Sequence, residues 1–271
     1  MTSELIGRVS FELAKGRHRL RHARPRGEPI LVFSMAKTGS SAIVAGLRAA
    51  GHPNVLHVHD LDAAFLEEEE AEYRWSGRPW RIWDAQQALR RPPSPARPWR
   101  VVSIVRDPIA QSVSAFFQPA VRRGYVHPGA SVASLLERFG DRLDHLPLRW
   151  FETHVEPALG IDVYATPFDL EARHQILRTP SVHLLLLRCE DLDVAPRALA
   201  DLLEVTEPIA VPRVNVGAEK EYAAAYTELV SMVVPTAAQL DRAYGSRPVR
   251  HFYSPEEAAR FRGSWSTRRA R

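Results

Sequence analysis

The chain predicts an α/β fold of three layers, a central parallel sheet flanked by helices. Three observations point there. Four short apolar runs stand out, PILVFS at 29–34, NVLHVH at 54–59, RVVSIV at 100–105 and VHLLLLR at 182–188. They are apolar nearly throughout rather than alternating, as strands covered on both faces must be. Helical patterns separate them, which favours parallel strands joined by crossovers.

The elements follow in order. Leu5, Ile6, Val9, Phe11 and Leu13 give residues 4–15 the pattern of a short amphipathic helix. A basic stretch with Arg17, Arg19, Arg21, Arg24 and Arg26 follows. After the first strand come a Gly/Ser loop at 35–41 and a helix at 41–50, ended by Gly51. Residues 60–91 read as helices, and the Glu67–Glu70 run suits a solvated face. A proline-rich connector occupies 90–99. The third strand leads into a helix at Asp107-Pro108, with aspartate at the cap and proline in the first turn. Further helical patterns cover 131–139, 147–159, 219–244 with a break at Pro235, and 254–262. This divides the chain into a basic arm at 1–28, one α/β domain at 29–265 and a basic tail at 266–271.

Composition narrows the function classes. The 271 residues include 36 Lys+Arg against 32 Asp+Glu, a net charge of +4, with 45% hydrophobic and 25% charged residues. That is ordinary for a folded globular chain and excludes a mostly disordered or fibrous one. The single cysteine, Cys189, excludes a disulfide scaffold and suits a reducing, cytoplasmic setting. No apolar run is long enough to span a membrane, and no signal peptide is legible. A charge of +4 does not suggest nucleic acid; the basic arm suits at most weak peripheral association with lipid.

Ligands of parallel sheets bind beyond the carboxyl ends of the strands. Beyond the first strand stands Met-Ala-Lys-Thr-Gly-Ser-Ser, 35–41. Gly39 permits a tight turn, and the amides of Gly39, Ser40 and Ser41 at a helix start form an anion site. Lys37 adds charge, and Thr38, Ser40 and Ser41 add hydroxyls. Lysine is otherwise found only at positions 15 and 220. The triphosphate loop G-x-x-x-x-G-K-[ST] is absent. Beyond the third strand stands Arg106, with Ser114 eight residues on. Asp107, Gln111, Ser114 and Gln118 share one helix stripe. A guanidinium fork plus a hydroxyl can clamp a phosphate.

Lys37-Thr38-Gly39-Ser40-Ser41 resembles the 5′-phosphosulfate loop of sulfotransferases using 3′-phosphoadenosine-5′-phosphosulfate (PAPS). The Arg106/Ser114 pair resembles the 3′-phosphate grip of that superfamily. More narrowly, the chain resembles bacterial capsular polysaccharide synthesis proteins through HVHDL at 57–61, 101–118, WFETHVEPALGIDVYATPFD at 150–169, LLLLRCEDL at 184–192 and NVGAEKEYAAAY at 215–226. The resemblance implies a P-loop-type fold and a PAPS-dependent sulfotransferase with PAP as product, no metal, and a hydroxyl acceptor on a glycan. It implies donor binding by Lys37, Thr38, Gly39, Ser40, Ser41, Arg106 and Ser114. Two family features are missing. Ala42 replaces a tryptophan that packs on adenine, and Cys189 replaces the tyrosine of a Tyr-Glu-Asp motif.

An acceptor hydroxyl must lose its proton as it attacks sulfur, and histidine suits that role. His57 and His59 end the second strand and share one face by period two. His59, nearer the tip, is the favoured base, with Lys37 stabilising the leaving oxygen. His-x-His is also a metal-ligand spacing, without a further His/Cys cluster to support it. Glu190-Asp191 suits a helix cap or an arginine partner better than magnesium. Two other classes stay open: an ATP-using kinase-like enzyme, and a non-catalytic polyanion binder.

Overall fold

The computed structural model describes residues 9, 11–18, 20, 28–73, 80–122, 132–213 and 223–267. Five strands form one sheet in the order β2-β1-β3-β5-β4. They are β1 (Ile30–Phe33), β2 (Val55–Val58), β3 (Trp99–Val105), β4 (His174–Arg178) and β5 (Val182–Arg188). β1 pairs in parallel with β2 and β3, and β3 with β5. β4 runs antiparallel to β5, so the sheet is mostly rather than wholly parallel. This corrects the all-parallel expectation. HQILR is partly exposed along its length, and its ladder comes from the turn at Thr179–Val182, where the Thr179 amide donates to the Val182 carbonyl.

The helices are α1 (Ser40–Ala49), α2 (Ala63–Tyr73), α3 (Trp80–Leu89), α4 (Pro108–Arg122), α5 (Val132–Phe139), α6 (Glu156–Leu159), α7 (Ala195–Leu203), α8 (Ala223–Met232), α9 (Ala237–Tyr244), α10 (Arg247–Phe252) and α11 (Pro255–Ser266). α7 and α10 have no counterpart in the sequence reading. The predicted helix at 147–159 is a π-helical turn, Phe151–Val155, running into α6. Thr236 caps α9 with a capping box that includes Gln239, which is why the helix at 219–244 breaks near Pro235.

Two apolar cores sandwich the sheet. One gathers Val32, Val102 and Leu185 with Ile43, Leu47, Leu199 and Leu202 of α1 and α7. The other, larger, gathers Leu31, Val101 and Leu184 with Ile109, Val113, Phe116 and Phe117 of α4, and with Phe151 and Phe252. Consecutive strand residues feed opposite cores, which is why the strands read as continuous apolar runs. Trp83 and Trp99 are buried packing residues; Trp75 and the Trp80 side chain lie outside the described residues.

In the arm, residues 11–18 are helical and Phe11 is buried, its ring 5.4 Å from that of Trp83, while Val9 and Leu13 are exposed. Lys15 pairs with Glu70, and His18 with Asp84 at 3.2 Å. Leu5, Ile6, Arg19, Arg21, Arg24, Arg26 and the 268–271 tail lie outside the described residues. No helix among the described residues is long and apolar enough to cross a membrane.

Candidate functional site

The chain leaves β1 through buried Ser34 and turns twice through left-handed backbone, at Lys37 (φ 70°) and Gly39 (φ 92°), before α1 begins. The Thr38 hydroxyl is buried and donates to the Met35 carbonyl at 2.9 Å. Ser40 is buried too, its Oγ 2.9 Å from His57 Nε2. These two hydroxyls therefore hold the loop from inside. Lys37, Gly39 and Ser41 are half-buried, and the opening amides of α1 have no intrahelical acceptors by geometry. A Cβ on Gly39 would stand 2.7 Å from Leu192 Cδ1 and 3.6 Å from Cys189 Sγ. The backbone angle favours glycine there, and the segment after β5 packs closely on it through the movable end of Leu192.

Arg106, at the tip of β3, comes to the same loop. Its Nη1 donates to the Lys37 carbonyl at 2.8 Å. Gln111, one turn into α4, donates to the Ala36 carbonyl at 2.9 Å. The loop is thus pinned from β3 and α4 while its amides start α1. Ser114 is half-buried two turns along α4 from Asp107; the Gln118 side chain lies outside the described residues. Asp107 is structural. It caps α4 by accepting from the Ala110 amide at 2.8 Å, and its other oxygen accepts from Tyr244 Oη at 2.9 Å.

The histidines stand on one face, ring centroids 5.1 Å apart. His59 Nδ1 donates to the Ser34 carbonyl at 2.6 Å, and Arg81 Nη1 donates to its Nε2 at 2.6 Å. Both nitrogens are occupied, and the tautomer is set by those partners. Burial, then the Arg81 charge, pulls the His59 pKa down to about 4. For His57, burial, then Arg81, pulls it down to about 2. Both rings are held neutral, and both are weak bases.

One histidine escaped the sequence reading. His154, in the π-turn, places Nε2 3.2 Å from Asp60 Oδ2 just past the tip of β2. Its Nδ1 is 2.8 Å from Thr153 Oγ1. The ring stacks on Trp150 at 5.8 Å and 18°, and Trp150 packs edge-on against Phe33 at the end of β1. Asp60 follows the tip of β2, and nothing local in the sequence marks a partner so far along the chain.

Beyond β5, Arg188 is 2% exposed, bonded to Asp191 and to Glu257 Oε2 at 2.8 Å. Asp191 thus has the arginine partner its sequence suggested. Glu190 accepts from the Asp107 amide at 3.0 Å and from Tyr253 Oη at 2.9 Å. Burial raises its carboxyl pKa and pushes the Cys189 thiol up to about 11. Arg262 pairs with Asp241 at 2.7 Å. No group of three or more His, Cys, Asp or Glu among the described residues could hold a metal.

Two recesses flank Gln111. A small apolar one of about 20 Å³, room for one water, lies among Met35, Arg106, Phe151 and Val249. A polar cleft of about 660 Å³ lies between α4 and residues 137–147, with Ser112, Arg138, Arg142 and His145 on its walls.

Residues 130–254, just under half of the chain, match a family model described as "Putative capsular polysaccharide synthesis protein" (NKWYS). No curated protein and no solved structure matches the chain. The matched segment carries His154, the walls of the cleft at 137–147 and the elements from β4 to α10. The loop at 35–41 and Arg106 lie outside it.

Proposed function

We propose that the chain is a sulfotransferase of P-loop-type fold that moves a sulfuryl group from PAPS to a hydroxyl of a carbohydrate-containing acceptor. The observation that carries this is the 2.8 Å bond from Arg106 to the Lys37 carbonyl. It sets Arg106 of the second residue set against the loop that carries the first, at the carboxyl edge of the sheet. The residues fit such a donor. The opening amides of α1 and the Lys37 ammonium suit the 5′-phosphosulfate. The guanidinium donors of Arg106 not spent on the loop suit the 3′-phosphate. Cys189 and Leu192, packed on Gly39, offer an apolar edge to adenine in place of an aromatic ring.

When bound, PAPS supplies the sulfuryl group and a phosphate leaving group. The protein's share is electrostatic and positional. Lys37 faces the charge that grows on the bridging oxygen, and a rigid loop avoids reorganisation. His57 and His59, held neutral, fix the loop from below through Ser40 and Ser34. The polar cleft beside Gln111 is large enough for a sugar residue, and the family match supports a polysaccharide setting.

The test is thermal unfolding with PAP at millimolar concentration and no magnesium. The midpoint rises if the reading is right, and Lys37→Ala or Arg106→Ala abolishes the rise. A flat response with PAP, or a rise only with ATP and magnesium, overturns it. The second case promotes the kinase-like alternative.

A further inference from the structure

We propose that His154, oriented by Asp60, is the group that takes the proton from the acceptor hydroxyl. This rests on the sulfotransferase reading above and names a residue that neither the motifs nor the family match assigns.

His59 spends Nδ1 on the Ser34 carbonyl and Nε2 on the Arg81 guanidinium. To accept a proton on Nε2 it would have to expel a cation and become one beside it. His57 is 5% exposed and its Nε2 is engaged by Ser40. His59 has no free lone pair, and His57 is buried beyond the reach of an incoming hydroxyl.

His154 has the opposite surroundings. Its side chain is 34% exposed, and Asp60, at 15%, faces Nε2 from 3.2 Å. A carboxylate there fixes the proton on Nε2, leaves Nδ1 as the lone-pair nitrogen, and stabilises the imidazolium once formed. A hydroxyl already sits at Nδ1: Thr153 Oγ1, at 2.8 Å. That hydroxyl has a second partner, the Arg149 carbonyl at 2.9 Å. Rotation of Thr153 about χ1, at the cost of its bond to Arg149, takes Oγ1 off Nδ1 and opens that nitrogen to an acceptor hydroxyl of the same chemistry. Stacking on Trp150 holds the ring plane, and Trp150 rests on Phe33, one residue before the chain enters the donor loop at Ser34. Asp60 in turn follows His59, which is bonded to that same Ser34. The dyad therefore lies beside the segment that leads into the donor loop, with His154 far more exposed than buried His57. The π-turn that presents it is a rare backbone form, often kept where a side chain must be aimed.

The step balances as follows. The acceptor proton passes to His154 Nδ1 while the acceptor oxygen bonds to sulfur. The bond from sulfur to the donor's phosphate oxygen breaks, and that oxygen leaves with the electron pair as PAP. The imidazolium then returns its proton to water from its exposed face.

The experiment compares two acceptors with PAPS at pH 8: methyl α-glucoside, whose hydroxyls need a base, and 4-nitrophenol, which is largely ionised and needs none. His154→Gln should lower transfer to the glucoside by more than about 100-fold and transfer to 4-nitrophenolate far less. Asp60→Asn keeps the oxygen that receives the Asp62 amide and should follow the same pattern more weakly. The midpoint shift with PAP reports folding and donor binding in each variant. Equal loss with both acceptors, or no loss with the glucoside, overturns the role of His154. A wild-type chain that sulfates neither acceptor overturns it too. In that case a missing PAP shift removes the donor reading as well, whereas an intact shift removes His154 alone.

Discussion

At the scale of single residues, the histidine pair shows how context rewrites a motif. Period two places His57 and His59 on one face of a strand, and the structure has them there. Sequence cannot show that Arg81, on a different element, donates into one ring, nor that burial alone disfavours charge on both. This has a measurable effect on folding. An unfolded histidine protonates near pH 6.5, whereas the folded rings stay neutral down to about 4 and about 2. Across that interval the unfolded chain binds more protons, so stability falls as pH falls, by up to about 1.4 kcal/mol per histidine per pH unit. Glu190, with its raised carboxyl pKa, acts in the opposite sense and blunts the effect. The thermal midpoint should therefore drop between pH 7 and pH 5, and His59→Gln should flatten that drop. A midpoint that holds or rises over this range would contradict the buried neutral pair.

At the scale of elements, what was legible depended on how local the cause is. β1, β2, β3 and β5 announce themselves because both faces of each are covered, so most positions are apolar. β4 does not, because HQILR lies at an edge and owes its conformation to the ladder with β5. The loop at 35–41 and Arg106 were legible because a short pattern carries them. The Asp60–His154 contact was not, since it joins the tip of β2 to a turn far along the chain. The junction of β5 with α10 and α11 is another long-range feature. Arg188 is among the most deeply buried side chains and ties Asp191 to Glu257 and the Phe252 carbonyl. Arg188→Ala takes the cation from Glu257, leaves Asp191 only the longer pair with Arg173 at 3.4 Å, and opens a cavity, at an expected cost of about 3–5 kcal/mol. Denaturant unfolding measures this. A loss under about 1 kcal/mol would mean the network is incidental.

At the scale of the whole molecule, the sheet acts as a gathering device. Each parallel strand releases a chemically distinct segment at the same edge. β1 delivers the amide-rich loop, β2 the histidine pair and Asp60, β3 Arg106, and β5 Cys189 and the acid pair. The family match covers β5 and the rest of 130–254, whose turn at 151–155 meets that edge through Phe151 beside Met35 and Arg106, while residues 137–147 face α4 across the cleft. Donor chemistry from the N-terminal half and acceptor handling from the C-terminal half would thus meet over one crevice. A crystal structure of the chain with PAP tests this most directly. One nucleotide should lie across that edge, its 5′-phosphate on the amides of Gly39, Ser40 and Ser41 and its 3′-phosphate on Arg106. PAP bound anywhere else, or touching one of those two groups and not the other, would contradict the account.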